Sequence, residues 1–315
     1  MDQFKWGVVG SLEKAKGFVA DLPFTSLPHQ LYGIVDTDGE GEALDKVPHI
    51  FNDLQDLLQS DADAIYIASE YRLHYAQVKQ CLLQEKPVLC ERPIAANSVE
   101  LKHLIDLSEH NRVFMMEALW IHFLPTIKKV LSIISSGAIG ELISVKASVN
   151  HSLSDKPIGI KPGGGNALFE SGLYPVFLST LLLGKPEYVQ AKGKIKGGSE
   201  NDFFSAFLSY EGGQYAFIET NKLIRNTSAA IITGDKGAIQ IKNPWSAKPE
   251  GIEVDFFDGT KVLHKSEWQG NGLQFELDEV YECVQNGEIE SQLYCHHFSL
   301  DVMETMDDIR TQLQS

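Results

Sequence analysis

Short apolar runs alternate with stretches of helical length through the first third of the chain. Lys5-Trp-Gly-Val-Val-Gly10, Leu31-Tyr-Gly-Ile-Val35, Ala64-Ile-Tyr-Ile-Ala68, Val88-Leu-Cys90 and Val113-Phe-Met-Met116 are too short for buried helices. Each is bounded by turn residues, so they predict five buried strands. Helices are expected between them at about 12–22, 53–59, 74–84 and 98–111, the last with Asn97 or Ser98 as N-cap and Glu100 in its first turn. Residues 37–42 are too polar and glycine-rich for a long helix. Regular strand–helix alternation implies a parallel, doubly wound sheet.

The pattern changes after residue 116. A helix is expected over 124–136, stopped by Gly137-Ala-Ile-Gly140. Residues 142–151 alternate as a strand with one wet face, and an apolar helix is expected over about 167–183. Alternating strands then recur at 188–196, 203–210, 214–222, 228–233, 238–242 and 252–257, parted by turns such as Glu211-Gly-Gly213 and Asp258-Gly259. Two helices, about 272–286 and 297–313, follow. The α/β chain therefore reads as residues 1–120 with a parallel sheet and 121–315 as an α+β domain with an open, mostly antiparallel sheet. Its 315 residues suit two domains.

Charge narrows the partners. With 27 basic and 43 acidic residues the net charge is −16, which repels phosphate backbones and anionic lipid, so neither nucleic acid nor membrane is expected as a partner. The first residues show no basic segment followed by a long apolar run, so no signal peptide is expected. Cys81, Cys90, Cys283 and Cys295 form no Cys-x-x-Cys pair, which favours reduced thiols and a cytoplasmic location.

Candidate chemistry lies at strand ends, where open parallel sheets bind ligands. Glu85-Lys-Pro-Val-Leu-Cys-Glu-Arg-Pro93 is one short strand bounded by prolines, and it delivers Glu91 and Arg92 at its carboxyl end. After the first strand comes Gly10-Ser11-Leu12-Glu13-Lys14-Ala15. This keeps the first glycine and last small residue of a dinucleotide turn but puts Leu12 where a glycine lets the backbone approach pyrophosphate. Asp36 ends the second strand, either to hold ribose hydroxyls or to start a turn with Thr37 and Asp38. Cys295-His296-His297 is read as a helix entry with surface imidazoles, and no metal is expected.

Several segments together resemble the glucose–fructose oxidoreductase / inositol dehydrogenase / MocA family. They are Trp6-Gly-Val-Val-Gly10, Glu85 to Pro93, Met116-Glu-Ala-Leu-Trp120, Ser136-Gly-Ala-Ile-Gly-Glu141, Gly163 to Pro175 and Ser299-x-x-x-Met303-Glu-x-Met-Asp-x-Ile-Arg310. The forms Tyr174-Pro175 and Glu117-Ala-Leu-Trp120 are most similar to the dihydrodiol and xylose dehydrogenase branch. The resemblance implies a Rossmann domain followed by a substrate and oligomerisation domain. It also implies hydride transfer between NAD or NADP and a sugar, polyol or vicinal diol, with a homodimer or higher oligomer as the assembly. By the same resemblance the cofactor would meet Gly7, Gly10, Ser11, Leu12, Ala15, Asp36, Ser69, His74, Glu91 and Arg92. The substrate would meet Trp120, Glu170 and Tyr174, with Tyr174 and Arg92 in the catalytic roles. Asp36 and Asp38 favour NAD, because two carboxylates oppose a 2′-phosphate. The family lysine is replaced by Arg92, which stays protonated and either orients a hydroxyl or grips a carboxylate or phosphate with its fork. Glu117 is read as a structural partner between domains. Leu12, Glu13, Glu70 and Arg92 also support a second reading, an altered member kept as a ligand-binding or regulatory protein.

Overall fold

Strand β1 (Phe4–Gly10) lies inside a six-stranded parallel sheet with β2 (His29–Asp36), β3 (His49–Ile50), β4 (Ala64–Ala68), β5 (Val88–Glu91) and β6 (Met115–Ala118). The order is β3-β2-β1-β4-β5-β6. The computed structural model describes residues 3–37, 47–150, 168–194, 203–221 and 228–314, without the side chains of 12–15. From β1 the chain builds outward through β2 and β3, then crosses back to β4 and continues through β5 and β6 in the other direction. Such a reversal of strand order, here between β1 and β4, is where open α/β sheets bind ligands beyond the strand ends. Val8, Ile65, Ile67, Val88 and Leu89 have no exposed surface, as strands covered on both faces require. The connecting helices are α1 (Leu12–Asp21), α2 (Leu54–Leu58), α3 (Tyr71–Leu83) and α4 (Ser98–Asn111). Asn97 caps α4 by accepting from Glu100 N at 2.9 Å.

Several elements differ from the sequence reading. Helix α3 starts at Tyr71 rather than near His74, directly after an extended Glu70. Strand β6 runs through Glu117 instead of stopping at Met116. A polar residue ends an apolar run in sequence, but Glu117 is fully hydrogen-bonded in the fold (below). Two edge strands were not expected: β3, two exposed residues long, and β14 (Lys261–Lys265), whose lysines suit an exposed sheet edge.

The chain forms two compact units, Met1–Trp120 with Gln269–Leu300, and Ile121–Trp268 with Asp301–Ser315. The first contains α7 (Leu273–Gln285). Asp21, with no exposed surface, explains why. Its carboxylate accepts from Asn271 N and Nδ2 at 2.8 Å, Gly272 N at 3.0 Å and Leu273 N at 2.9 Å. Asp21 thus caps α7 from 250 residues away, where the local N-cap Gly272 has no side chain to do so. Further along α7, Asp278 accepts from Ser26 N at 2.8 Å and faces His29 Nε2 at 3.2 Å. His29 Nδ1 accepts from Trp6 Nε1 at 3.0 Å, so the ring proton sits on Nε2 and points at Asp278.

The second unit is built on β7 (Leu142–Asn150), β8 (Tyr188–Lys194), β9 (Phe203–Ser209), β10 (Tyr215–Asn221), β11 (Ala229–Gly234), β12 (Gly237–Ile241), β13 (Gly251–Phe256) and β14. The order is β14-β13-β12-β11-β7-β10-β9-β8, antiparallel except where β10 meets β7. One face buries Val145, Ala147, Ile218, Leu208 and Ile232. Helices α5 (Pro125–Ser135) and α6 (Leu173–Leu183) pack against this sheet. The opposite face leaves aromatic side chains in the open. Helix α8 (His296–Gln314) gives its first residues to the first unit and the rest to the second.

Candidate active site

The strand ends of the first unit stand in register. Gly10 pairs with Asp36 on one side and Ala68 on the other, and Thr37 N donates to Gly10 O at 3.2 Å. Helix α1 begins at Leu12, so its first-turn N–H groups follow the β1 end directly. A helix N-terminus directly after a strand end, beside a carboxylate on the neighbouring strand, is the kind of place where open parallel sheets bind anionic ligands. Gly10 itself is required by the sheet, because a Cβ there would lie 2.6 Å from Ala68 O. Gly7 lies three residues inside β1, and a Cβ would meet Leu57 and Ile65 at 2.8 and 2.9 Å. The structure therefore gives Gly7 a packing role within the sheet, away from the cleft mouth. Ser11 and Asp36 are half-buried, while the side chains of Leu12 and Ala15, like Asp38, lie outside the described residues.

At the β5 end, Glu91 turns toward the sheet and its Oε1 accepts from Tyr66 OH at 2.6 Å. Burial, then the Glu91 charge, pushes the Tyr66 hydroxyl well above its usual range. Arg92 is half-buried. Lys86, the lysine of this stretch, is at the opposite end of β5 and donates to Ser60 O at 2.9 Å and Ala62 O at 2.8 Å. Its place in a Glu-Lys-Pro triplet is therefore structural. Ser69 Oγ donates to Gln77 Oε1 at 2.5 Å. His74 is 1% exposed, with Nδ1 2.8 Å from Pro93 O and Nε2 3.1 Å from Ser69 O. The ring that the resemblance sets on the cofactor is thus almost wholly enclosed and lies against two strand-end carbonyls.

Glu117 also differs from expectation. Its Oε1 accepts from Ile94 N at 3.0 Å, and its Oε2 accepts from Tyr294 OH at 2.8 Å and Ser299 Oγ at 3.0 Å. All these partners lie in the first unit, so the expected inter-domain role is not the one the structure displays. Burial holds the Glu117 carboxyl above the usual range, although these hydrogen bonds and the Arg92 charge pull it down. His296 is 7% exposed, and its Nε2 faces Met115 O at 3.0 Å, so it is an interior ring rather than a surface one.

Glu276, in the first turn of α7, escaped sequence reading altogether. It has no exposed surface, and among the described residues neither carboxyl oxygen has a hydrogen-bond partner. Burial, then the charges of Glu91 and Asp21, hold it well above the carboxylate range. Glu276→Met is expected to stabilise the protein by about 1–3 kcal/mol at neutral pH in urea unfolding, because an unsatisfied buried acid is removed. The sign with pH follows from linkage. The unfolded acid ionises above about pH 4.3, the folded one does not, so its cost grows as pH rises. A gain no larger at pH 8 than at pH 4 would contradict this account.

In the second unit, a π-helical turn (Leu168–Gly172) carries Glu170 and leads into α6. Glu170 is half-buried, and Tyr174, in the first turn of α6, is 6% exposed. Pro175 follows without breaking α6, since first-turn N–H groups need no helical partner. Trp120 closes the first segment of the first unit and is half-buried at the start of a 3₁₀ turn, Trp120–Phe123. The glycine-rich stretch 163–167 lies outside the described residues. Among the described residues, no group of three or more His, Cys, Asp or Glu is placed to hold a metal ion, and no helix is long and apolar enough to cross a membrane.

Comparison with known proteins agrees with this geometry. A family model described as an oxidoreductase family with an NAD-binding Rossmann fold matches residues 4–118, and the GFO/IDH/MocA C-terminal domain model matches residues 127–240. Trans-1,2-dihydrobenzene-1,2-diol dehydrogenase of Xenopus tropicalis is 29% identical over 98% of each chain. The human enzyme of that name is 25% identical over 97% of this chain and 96% of its own. An oxidoreductase from Agrobacterium radiobacter, solved with NAD+, L-tartaric acid and magnesium, superposes with a TM-score of 0.85 at 15% identity, covering 100% of this chain and 97% of that one. The 3-ketoreductase KijD10 from Actinomadura kijaniata, solved with NADP and TDP-benzene, gives a TM-score of 0.82 at 19% identity over 99% and 98% of the chains. At these identities the two structures establish the shared fold.

Proposed function

The chain belongs to the Gfo/Idh/MocA oxidoreductase family, with its NAD-binding Rossmann fold, and on that premise we propose that it is an NAD-dependent dehydrogenase of vicinal diols or sugar-like alcohols. The first domain would hold the dinucleotide and the second the substrate. The observation that supports the cofactor choice is the Gly10–Asp36 pairing at the entry to α1, which puts a carboxylate at the strand end where, on this reading, ribose hydroxyls would bind. Full-length similarity to dihydrodiol dehydrogenases supports the substrate class. A bound nicotinamide would accept the hydride. Arg92 would orient the substrate oxygen, and Tyr174 would take the hydroxyl proton as general base in oxidation and return it in reduction. Glu170 and Trp120 would line the substrate region, and Ser11, Ser69 and Glu91 the cofactor path.

The test is titration of the pure protein with NAD(H) and NADP(H), followed by turnover with trans-dihydrodiols and aldoses. NAD is expected to bind at least about tenfold tighter than NADP, and Asp36→Ser to narrow that gap. Absence of saturable binding of either dinucleotide would remove the reading. The four cysteines are free thiols, three of them buried, which supports a cytoplasmic setting.

A homodimer through the open sheet face belongs to the same proposal. Phe217 pairs with Phe207 across β10 and β9, and the two are 42% and 44% exposed, with Tyr188 at 72%. A row of aromatics left on one face of a sheet is the composition of an interface core. Phe207→Lys is expected to convert a dimer to a monomer in light scattering with unchanged circular dichroism. A wild-type protein that is monomeric at tens of micromolar would count against it.

A further inference from the structure

The peptide group between Pro93 and Ile94 is gripped on both edges by buried side chains. Its carbonyl faces His74 Nδ1 at 2.8 Å, and its N–H donates to Glu117 Oε1 at 3.0 Å. Neither grip floats. Glu117 is fixed by Tyr294 OH and Ser299 Oγ at 2.8 and 3.0 Å, and His74 Nε2 reaches Ser69 O at 3.1 Å. His74 and Glu117 are 1% and 3% exposed. From these contacts we infer that His74 and Glu117 form a clamp on one peptide plane and act as positioning residues for Arg92, which rests on the reading of Arg92 as part of the active site.

The physical argument is one of degrees of freedom. Arg92 is joined to the clamped plane through a single proline, whose ring fixes its own φ. Holding the next peptide on both edges removes the remaining rotations that would swing the β5 end. An imidazole on the carbonyl and a carboxylate on the N–H also polarise that peptide in the same sense, so each bond strengthens the other. A neutral imidazole has one N–H, which the shorter contact gives to Pro93 O, and Nε2, 3.1 Å from Ser69 O, packs the β4 end against the β5 end across two neighbouring strands. The clamp therefore sets the distance between two stretches assigned to the cofactor path. A misplacement of about 1 Å at such a site costs on the order of 100-fold in rate.

Two histidine replacements separate this role from packing. Asparagine can place an amide donor where Nδ1 stands, so His74→Asn keeps the Pro93 bond and gives up only the contact at Ser69 O. Glutamine reaches where Nε2 stands, so His74→Gln does the reverse. The clamp predicts that His74→Gln and Glu117→Gln each lower kcat about 10- to 100-fold with dinucleotide Kd changed less than about threefold, and that His74→Asn retains about tenfold more kcat than His74→Gln. The double variant His74→Gln/Glu117→Gln is expected to lose little beyond the worse single, because both act through one peptide. Amide exchange supplies a readout independent of turnover: Ile94 N–H exchanges at least about tenfold faster in His74→Gln, while core amides of β1 and β4 keep their rates. Equal kcat in the two His74 variants, or an unchanged Ile94 exchange rate, overturns the clamp. If wild-type protein shows no dinucleotide-dependent turnover, the activity reading fails, and the clamp stands or falls on Ile94 exchange alone.

Discussion

Replacing Tyr174 by phenylalanine is expected to lower kcat by about 10²–10⁴-fold, the range for losing a positioned general acid–base group. The side chain is 6% exposed in the first turn of α6, among neighbours that are themselves buried. Phenylalanine keeps the ring volume, so the fold is expected to keep its stability within about 1 kcal/mol. Dinucleotide affinity is expected to stay within about threefold, because the proposed proton transfer takes no part in cofactor binding. Kinetics with a dihydrodiol, isothermal titration with NAD and urea unfolding separate the three quantities. A variant with wild-type kcat would remove Tyr174 from the reaction and leave only a packing role for it.

Removal of the Arg92 side chain should act on the other half of the chemistry. Arg92→Ala is expected to reduce kcat/KM by about 10²–10³-fold, as for loss of a single preorganised donor at a developing oxyanion. Its charge reaches the buried Glu117 carboxyl and holds that group lower than burial alone would. The alanine variant is therefore also expected to raise the Glu117 carboxyl further, with a small loss of stability that grows as pH rises above the usual carboxylate range. Arg92→Lys restores a charge without the fork and is expected to recover about tenfold of the lost kcat/KM. Steady-state kinetics of the three proteins read this directly. An alanine variant as active as wild type would leave Arg92 as a structural cation. A lysine variant no better than alanine would mean that the fork, rather than the charge, is what the substrate requires.

Five strands of the parallel sheet were legible because each is a short apolar run between turn residues, a pattern that follows from burial on both faces, while the two-residue edge strand β3 is exposed and gives no such signal. The second sheet was legible from strict alternation, since only one of its faces is packed. Asp36 and Arg92 could be placed because a strand's end is a property of the local run. Strand β14 was missed because an edge strand needs no buried residues and advertises itself only by charge.

The remaining features are set by long-range pairing. Nothing near Glu117 announces that Tyr294 and Ser299, 177 and 182 residues later, complete its hydrogen bonds. The sequence makes Asp21 look like the polar end of an amphipathic helix, and only the fold turns it into the cap of α7. Lys86 and Arg92 sit six residues apart in one motif-like stretch, but a strand of four residues separates them to opposite ends, one bound to backbone carbonyls and the other at the cleft end. The family resemblance set His74 on the cofactor, while in the fold both its nitrogens face backbone carbonyls. The sequence by itself determined which segments become strands and helices and which residues reach the strand ends, because those depend on local periodicity and turn chemistry. Tertiary structure alone decided which polar side chains are consumed in holding those ends in place. A buried hydrogen-bonding group must find its partner wherever the fold brings one.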